Sequence, residues 1–287
     1  MKKLITILCA LMLLMPSSMA SSSPLFKLHL GNNDTRAIRS VLNSQVRYAN
    51  RTNFNKFIST YDSKYKNSDG FDLETYSKLV KDLWETYGNI KYGVKIQDID
   101  ISKDGLATVK LIETSYASIP VSDQMDGQLK SVANSIYYLR KIDGKWKVVS
   151  DSVIEENTSM LYGDAMGLDI KLTAPKEIEP NVEYTASLEF TPPKGTFAIA
   201  SIAKDKVTYP QQQAQEVFRK LPDDNILERL FVSNKDKANE YVIASIGLTK
   251  ADIDDMSIKL SLTGFGYQII RVNVVEPKQE EENEQNK

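Results

Sequence analysis

The spacing of apolar residues changes along the chain, and its first part has a helical period. From Asp34 onwards, apolar residues recur at steps of three and four, which predicts an amphipathic helix with Asp34 or Thr35 as its N-cap. A second helix is predicted over residues 53–58 and a third over residues 73–87, with a turn at residues 67–70 between them. The apolar face of the third helix consists of Tyr76, Leu79, Val80, Leu83 and Trp84.

After the third helix the period changes to two, which is typical of half-buried strands. Strands are predicted over residues 94–101 and 106–119, followed by a polar loop over residues 120–131 and a closing hairpin over residues 136–151. Helices followed by a run of antiparallel strands are typical of an α+β domain. We expect this domain to cover residues 34–158.

The closing hairpin, IYYLRKIDGKWKVVSD, carries one of the two tryptophans of the chain. In a regular strand, successive side chains point to opposite faces. One face of the second strand would then carry Trp146, Val148 and Ser150, and the other face would carry Lys147, Val149 and Asp151. If Trp146 faces the helices, this alternation predicts that Asp151 points away from them.

The second half of the chain, from residue 166 to residue 276, consists of short alternating runs separated by turns that contain proline or glycine. This spacing predicts an all-β, immunoglobulin-like β-sandwich domain, which a linker at residues 159–165 joins to the α+β domain. A short helix is predicted over residues 211–221. The acidic tail at residues 277–287 is expected to be disordered.

Residues 1–20 have the pattern of a secretory signal peptide, with a basic start, an apolar run over residues 4–15 and small residues up to Ala20. The apolar run is shorter than the ~20 residues that a membrane-spanning helix needs. We therefore expect cleavage after Ala20, a flexible N-terminal segment at residues 21–33, and an exported protein that is periplasmic or extracellular.

Few side chains are available for catalysis or for binding metals. The chain has one cysteine, Cys9, which lies within the predicted signal peptide, and one histidine, His29. A Cys-His pair, a Ser-His-Asp triad and a histidine-based zinc site are therefore excluded, and neither a cofactor nor a metal is expected. The formal net charge of −2, without a basic block, argues against nucleic acid as a partner, and glycine-rich phosphate-binding motifs are absent.

Four stretches in the first half carry a resemblance to a known family: VRYANRTNFNKFISTYDSKY, NSDGFD, WETYGNIKY and YYLRKIDGKWKVVSD. Their order and texture resemble the nuclear transport factor 2-like superfamily, also called SnoaL-like or cystatin-like. The resemblance implies that three helices pack into the concave side of a curved antiparallel sheet. We call the space between the helices and the sheet the cone.

Enzymes of that superfamily use the cone as their pocket, so the resemblance also implies which residues would line it. The candidate ligand-binding residues are Tyr48, Tyr61, Trp84, Tyr137 and Trp146. Tyr65 is a further aromatic candidate, and Asp62 and Asp151 are the nearby acids. Superfamily enzymes place an essential Asp or His on an inward strand position, where this sequence offers Glu113 and Asp151 on mixed faces. Large rings at this spacing are also typical of a packed core.

The expected fold class is α+β: a cone-shaped domain of three helices on a curved antiparallel sheet, followed by the immunoglobulin-like sandwich. The function that the sequence favours is an exported, non-enzymatic two-domain module that binds a small apolar ligand or a protein partner. The alternative is an isomerase, dehydratase or cyclase that acts on a small molecule in the cone. A further alternative is a periplasmic or surface assembly factor whose sandwich edge strands pair with another protein.

Overall fold

The computed structural model describes residues 32–122, 125–253 and 258–276, which form a mostly β structure with few helices. The α-helices are α1 (Asn32–Ala49), α2 (Phe54–Ile58) and α3 (Leu73–Thr86). The strands are β1 (Lys91–Ile101), β2 (Ala107–Ser122), β3 (Met125–Ile142), β4 (Lys145–Gly163), β5 (Lys171–Thr173), β6 (Glu177–Ile178), β7 (Glu183–Glu189), β8 (Thr196–Lys206), β9 (Arg219–Lys220), β10 (Ile226–Val232), β11 (Glu240–Ile253) and β12 (Ile258–Val274). The predicted signal peptide, residues 21–31 and the predicted acidic tail lie outside the described residues.

The two longer helices each bury one stripe of side chains against the sheet. α1 buries Ile38 and Leu42, which are four residues apart and therefore lie on the same helix face. α3 begins where the carboxylate of Asp72 accepts a hydrogen bond from the backbone N–H of Thr75 at 2.8 Å. The stripe that α3 buries consists of Tyr76, Leu79, Val80 and Leu83. None of the described helices is long and apolar enough to cross a membrane.

The main sheet of the described residues runs through both halves of the chain. Its strand order is β1-β2-β3-β4-β12-β11-β8-β9, and β6 pairs in parallel with β12. The first four strands form consecutive antiparallel pairs, and α1 to α3 pack on one face of them to form the first hydrophobic core. This arrangement, with few helices on a mostly β structure, agrees with the expected cone.

A bulge in β4 decides which of its residues face the helices. In the pairing of β4 with β3, Val149 is the extra residue, and such a residue shifts the alternation of the strand by one position. Trp146 and Val148 are buried before the bulge, and Asp151 is buried after it, where it accepts a hydrogen bond from Tyr65. The prediction that Asp151 lies on the face opposite to Trp146 was wrong, because it assumed regular alternation across an irregular strand.

The polar loop predicted over residues 120–131 is also wrong. β2 extends to Ser122 and β3 begins at Met125, so the segment belongs to a pair of long strands. β3 is paired with β2 on one side and β4 on the other, and this pairing decides the conformation of a segment whose own strand propensity is weak. A Cβ atom at Gly127 would overlap the ring of Tyr162, which explains why this strand position carries no side chain.

The short helix predicted over residues 211–221 does not form. Residues 211–218 have no regular secondary structure, and Arg219–Lys220 form β9, which pairs with β8. The Oγ of Ser201 accepts a hydrogen bond from the backbone N–H of Val217 at 3.0 Å, so tertiary contacts hold the segment extended along β8. Contacts of this kind override the helical propensity of a short glutamine-rich run.

The second half of the chain contains a second core, between two sheets. β5, β7 and β10 form a separate antiparallel sheet that packs on the C-terminal strands of the main sheet. The side chains of this core include Tyr184, Leu188, Phe231, Ile202, Val242 and Ile246. Residues 159–165, predicted as a linker, are the end of β4 and the start of a 3₁₀ helix at Asp164–Gly167. The immunoglobulin-like topology and the two-domain division stay predictions.

Candidate functional site

A cavity opens between the helices and the inner face of the main sheet, at the position of the cone. Its empty volume, which includes the open solvent at its mouth, is about 650 Å³. Residues of α1 and α3 form one wall, and residues of β1, β2 and β3 form the other. The aliphatic part of the lining consists of Leu42, Val46, Ala49, Val80, Val94 and Leu111.

Aromatic rings form most of the remaining wall, and they support one another. The rings that line the cavity are Phe57, Tyr61, Tyr76, Trp84, Tyr92 and Tyr137. The ring centroid of Phe57 lies 5.5 Å from that of Tyr61 and 5.7 Å from that of Trp84, and the indole Nε1 of Trp84 donates a hydrogen bond to the hydroxyl of Tyr92 at 3.0 Å. Because these contacts fix the rings, the wall is preformed before any ligand arrives.

Glu113 on β2 is the acid in this lining. Its Oε2 accepts a hydrogen bond from Ser135 Oγ at 2.7 Å, and its Oε1 accepts one from the Tyr137 hydroxyl at 2.8 Å. The side chain is half-buried, since it is surrounded by protein except where it meets the cavity. Burial raises the pKa of Glu113 above its usual value, and the two hydrogen bonds oppose this rise. The carboxyl can therefore exchange a proton at a higher pH than an exposed glutamate.

Further tyrosines lead from this cavity to a second buried acid, Asp151. The hydroxyls of Tyr61 and Tyr76 lie 3.1 Å apart, and the ring of Tyr65 packs edge-on against Tyr61 with centroids 5.0 Å apart. The Tyr65 hydroxyl donates a hydrogen bond to Asp151 Oδ2 at 2.6 Å. Burial raises the pKa of Asp151 well above its usual value, and the nearby charge of Glu113 adds to the rise. The half-buried Glu113 and the buried Asp151 thus share one tyrosine cluster.

The structure places the predicted lining residues in different positions. Those on the cavity wall are Tyr61, Trp84 and Tyr137. Tyr48 is half-buried outside the wall, with the ammonium nitrogen of Lys56 lying 5.9 Å from its ring centroid. Trp146 is buried at the start of α1, where its Nε1 donates a hydrogen bond to Asp34 at 3.1 Å. Ligand binding by any of these residues stays a prediction.

The sequence pattern predicts Glu113 on a mixed strand face, whereas the structure places it in the cavity lining. In strand β2, the residues two positions before and two positions after Glu113, which are Leu111 and Ser115, are both buried. An acid at the centre of such an inward series is a usable signal for a site, because buried carboxyls are rare and costly. Asp62, the other predicted acid, accepts a hydrogen bond from the backbone N–H of Lys64 at 2.7 Å and belongs to a turn.

A second buried polar cluster lies apart from the cavity, where the turn at residues 67–70 meets β11 and β12. The guanidinium of Arg271 is fully buried 3.3 Å from Asp69, and Asn239 donates a hydrogen bond to the same carboxylate at 2.7 Å. Burial raises the pKa of Asp69 to about 6 and that of Glu156 to about 7, and the charge of Arg271 opposes both shifts. Among the described residues, no group of three or more His, Cys, Asp or Glu side chains could hold a metal ion.

The fold is a mostly β structure with few helices, which pack on one face of the main sheet and leave a cavity between the helices and the sheet. No protein-family model matches the chain, and no curated protein matches it. Several solved structures are each similar to less than half of the chain. A provisionally assigned scytalone dehydratase from Novosphingobium aromaticivorans has 16% identity and a TM-score of 0.36, with 42% of this chain and 83% of that chain covered.

Two further solved structures are similar to the same share of the chain. A domain of unknown function with a cystatin-like fold from Nostoc punctiforme has 14% identity and a TM-score of 0.34, with 42% of this chain and 76% of that chain covered. A hexachlorocyclohexane dehydrochlorinase from Novosphingobium barchaimii has 12% identity and a TM-score of 0.35, with 42% and 85% covered. The similar structures therefore include enzymes as well as a domain without an assigned activity.

Proposed function

We propose that the protein binds a small, mainly apolar molecule in the cavity beneath its helices. The observation that carries this proposal is an open cavity whose wall combines aromatic rings with a few convergent polar groups. Binding sites for small molecules usually have this composition. A cone filled by Trp84, Tyr137 and Trp146 would leave no room for a ligand, but Trp146 lies outside the lining and the other two rings border open space.

Polar groups at defined positions would orient the ligand. Gln45 and Ser115 are both buried and line the cavity from opposite walls, one on α1 and the other on β2. The side-chain amide of Gln45 is held by a hydrogen bond to Thr60 Oγ1 at 2.8 Å. A ligand that fits this site is apolar over most of its surface and carries one or two polar groups. Export, which we infer from the signal-like residues 1–20, would place this binding outside the cytoplasm.

Filling the cavity tests the proposal. Val46 lines the cavity from α1, and the substitution Val46→Trp would occupy part of its volume. We expect the variant to bind prodan, a small neutral fluorescent dye, at least about tenfold more weakly than the wild-type protein, which corresponds to about 1.4 kcal/mol. The change in prodan emission on titration with protein gives both affinities.

The matched control for this experiment is Val132→Trp. Val132 lies on β3 and is 49% exposed, so the same substitution there adds a ring without entering the cavity. The control variant is expected to bind prodan as the wild-type protein does. Equal affinities for the wild-type protein and Val46→Trp would mean that the dye binds elsewhere, and a wild-type protein without affinity for prodan would contradict the proposal for ligands of this class.

A second candidate function is proton transfer on the bound ligand, and the environment of Glu113 is the observation that favours it. The carboxyl faces the cavity and its pKa is raised by burial, which suits a group that takes and returns a proton. Tyr61 and Tyr76 line the same cavity, where a hydroxyl could donate a hydrogen bond to a carbonyl oxygen of the ligand. Isomerases and dehydratases use carboxyl and tyrosine groups in these roles.

Deuterium exchange distinguishes this second function from binding alone. For a proton-transfer site, we expect the protein to speed the exchange of the α-protons of 2-tetralone in D₂O, followed by ¹H NMR. The substitution Glu113→Gln should then slow the catalysed exchange by about 100-fold, because general base catalysis usually contributes ~10²–10⁴-fold. Binding of the ketone without faster exchange would leave the binding function in place and remove the catalytic one.

The assembly role has one supporting feature. β10 is an edge strand of the smaller sheet in the described residues, pairing with β7 alone. Its outward side chains Ile226, Leu230 and Val232 are 37%, 61% and 45% exposed. An exposed apolar edge can accept a strand from another protein, but it is short, and we rank this role below ligand binding.

A further inference from the structure

We propose that the ligand of the cavity is an organic cation, a protonated or quaternary amine whose charge lies against Glu113. This inference rests on the proposed function of the cavity as a binding site and deepens it by naming the chemical class of the ligand. Two independent observations carry it: the charge balance of the lining, and the arrangement of its aromatic rings.

The first observation is the charge balance of the lining. The described residues that line the cavity include one acid, Glu113, and no Lys, Arg or His. Both hydrogen bonds that the carboxyl accepts come from neutral hydroxyls, those of Ser135 and Tyr137. A carboxylate enclosed by protein is unfavourable unless an opposite charge lies close to it. A cationic ligand would supply that charge from within the cavity.

The aromatic rings provide the second part of a cation site. Ring faces attract cations through their quadrupole, most strongly where water is excluded. Phe57, Tyr61 and Tyr76 form a cluster whose centroids are 5.2 to 6.3 Å apart, and all three line the cavity that Glu113 faces. Trp84 extends the cluster, with its ring 5.7 Å from that of Phe57. An aromatic cage combined with a carboxylate is the arrangement that suits quaternary ammonium groups.

Other ligand classes fit this lining less well. An anionic ligand would be repelled by Glu113 and would find no basic side chain among the described lining residues. A neutral apolar ligand would contact the rings but would gain nothing from the enclosed carboxyl, which would have to remain protonated. Two hydroxyl protons of the lining are already used, since Tyr137 donates to Glu113 and one hydroxyl of the Tyr61–Tyr76 pair donates to the other.

A pair of compounds of the same shape tests the inference by isothermal titration calorimetry. Phenyltrimethylammonium and tert-butylbenzene differ in one atom, nitrogen or carbon, and therefore in charge. At pH 8 we expect the wild-type protein to bind the cation at least about tenfold more tightly than the neutral compound. The substitution Glu113→Gln is expected to weaken binding of the cation about tenfold and to leave the affinity for tert-butylbenzene unchanged.

The matched control for charge is Glu155→Gln. Glu155 lies on β4, outside the described lining, and forms an ion pair with Lys176. Its replacement removes the same formal charge from the protein as Glu113→Gln does. We expect this variant to keep the wild-type affinities for both compounds, which separates an effect at the cavity from an effect of the net charge.

The pH dependence of binding gives a readout that needs no variant. Phenyltrimethylammonium has no titratable proton, so its affinity should rise with pH as Glu113 loses its proton, and binding at lower pH should release a proton. The titratable groups around Glu113 are three tyrosines and two acids, namely Tyr61, Tyr76, Tyr137, Asp151 and Glu156. The elements α1 and β1 contribute only the uncharged Gln45 and Val94. The two acids ionise in the same direction as Glu113, and the tyrosines stay protonated because burial raises their pKa values.

The outcomes separate this inference from the function on which it rests. Equal affinities for the two compounds, or tighter binding of tert-butylbenzene, would overturn the cation inference and support the binding function. Prodan binding without binding of phenyltrimethylammonium would do the same. A cation affinity that is independent of pH and unchanged by Glu113→Gln would overturn the role of Glu113. Absence of binding by all three compounds would overturn the binding function itself.

Discussion

Replacing Arg271 with methionine is expected to lower the free energy of unfolding by about 3–5 kcal/mol at pH 8, because it leaves buried carboxylates without a counter-charge. The Arg271 side chain is fully buried and its guanidinium lies 3.3 Å from the carboxylate of Asp69. Burial raises the pKa of Glu156, a residue that is 5% exposed, and the charge of Arg271 opposes this rise. Methionine keeps most of the volume of arginine, so the loss reports on charge rather than on a cavity.

Urea unfolding, followed by tryptophan fluorescence, measures this loss. The matched control is Lys78→Met, at an exposed ion pair with Glu74, where we expect a change below about 1 kcal/mol. At pH 5 the loss in Arg271→Met should be much smaller, because Asp69 and Glu156, with pKa values of about 6 and about 7, are then protonated. A loss of the same size at pH 5 and pH 8 would show that packing, not charge, is the contribution of Arg271.

The conformation of an element can be predicted from the sequence where the residue pattern of that element alone decides it. The helix α3 buries the stripe that its three- and four-residue spacing predicts, and Asp72 caps its first turn. The alternation in β2 predicts a strand for the same reason, because one of its faces is buried, for example at Leu111, and the other is exposed, for example at Lys110. Local periodicity carries this information without any knowledge of what packs against the element.

The candidate site depends on irregularities that periodicity does not contain. The bulge at Val149 turns Asp151 towards the tyrosine cluster, and no residue type marks that position as a bulge in the sequence. The role of Glu113 depends on two partners from the neighbouring strand, Ser135 and Tyr137, which are more than twenty residues away in the chain. A site assembled from several strands therefore becomes visible only when the register of those strands is known.

The joining of the two halves also could not be predicted from local patterns. β4 continues past residue 158 and pairs with β12, for example through Thr158 and Ile269, so one sheet includes strands from both ends of the chain. Pairing between residues so distant in sequence depends on the whole topology rather than on the propensity of either strand. Local patterns therefore predict a linker over residues 159–165, where β4 continues to Gly163.

The stability of the protein is expected to fall as the pH rises from 5 to 8. Burial raises the pKa of Asp69 to about 6 and that of Glu156 to about 7, from values near 4 for exposed groups, and it raises the pKa values of Glu113 and Asp151 as well. In this pH range the folded protein therefore binds more protons than the unfolded chain, so each group stabilises the fold at low pH and loses that contribution as the pH rises through its folded pKa. Between pH 5 and pH 8, Asp69 accounts for roughly 1 kcal/mol of this change and Glu156 for roughly 2–3 kcal/mol.

Urea unfolding at a series of pH values between 5 and 8 checks this expectation, and two substitutions assign it to a residue. Glu156→Gln removes one of the raised groups, so the decrease in the free energy of unfolding over this range should become smaller by roughly 2–3 kcal/mol. Glu155→Gln, the neighbouring control, should leave the slope unchanged, because the ion pair with Lys176 lowers the pKa of Glu155 and keeps it ionised throughout. A stability that is constant or rises with pH would mean that the buried carboxyls are ionised in the folded protein, with Arg271 and the surrounding hydroxyls fully compensating their burial.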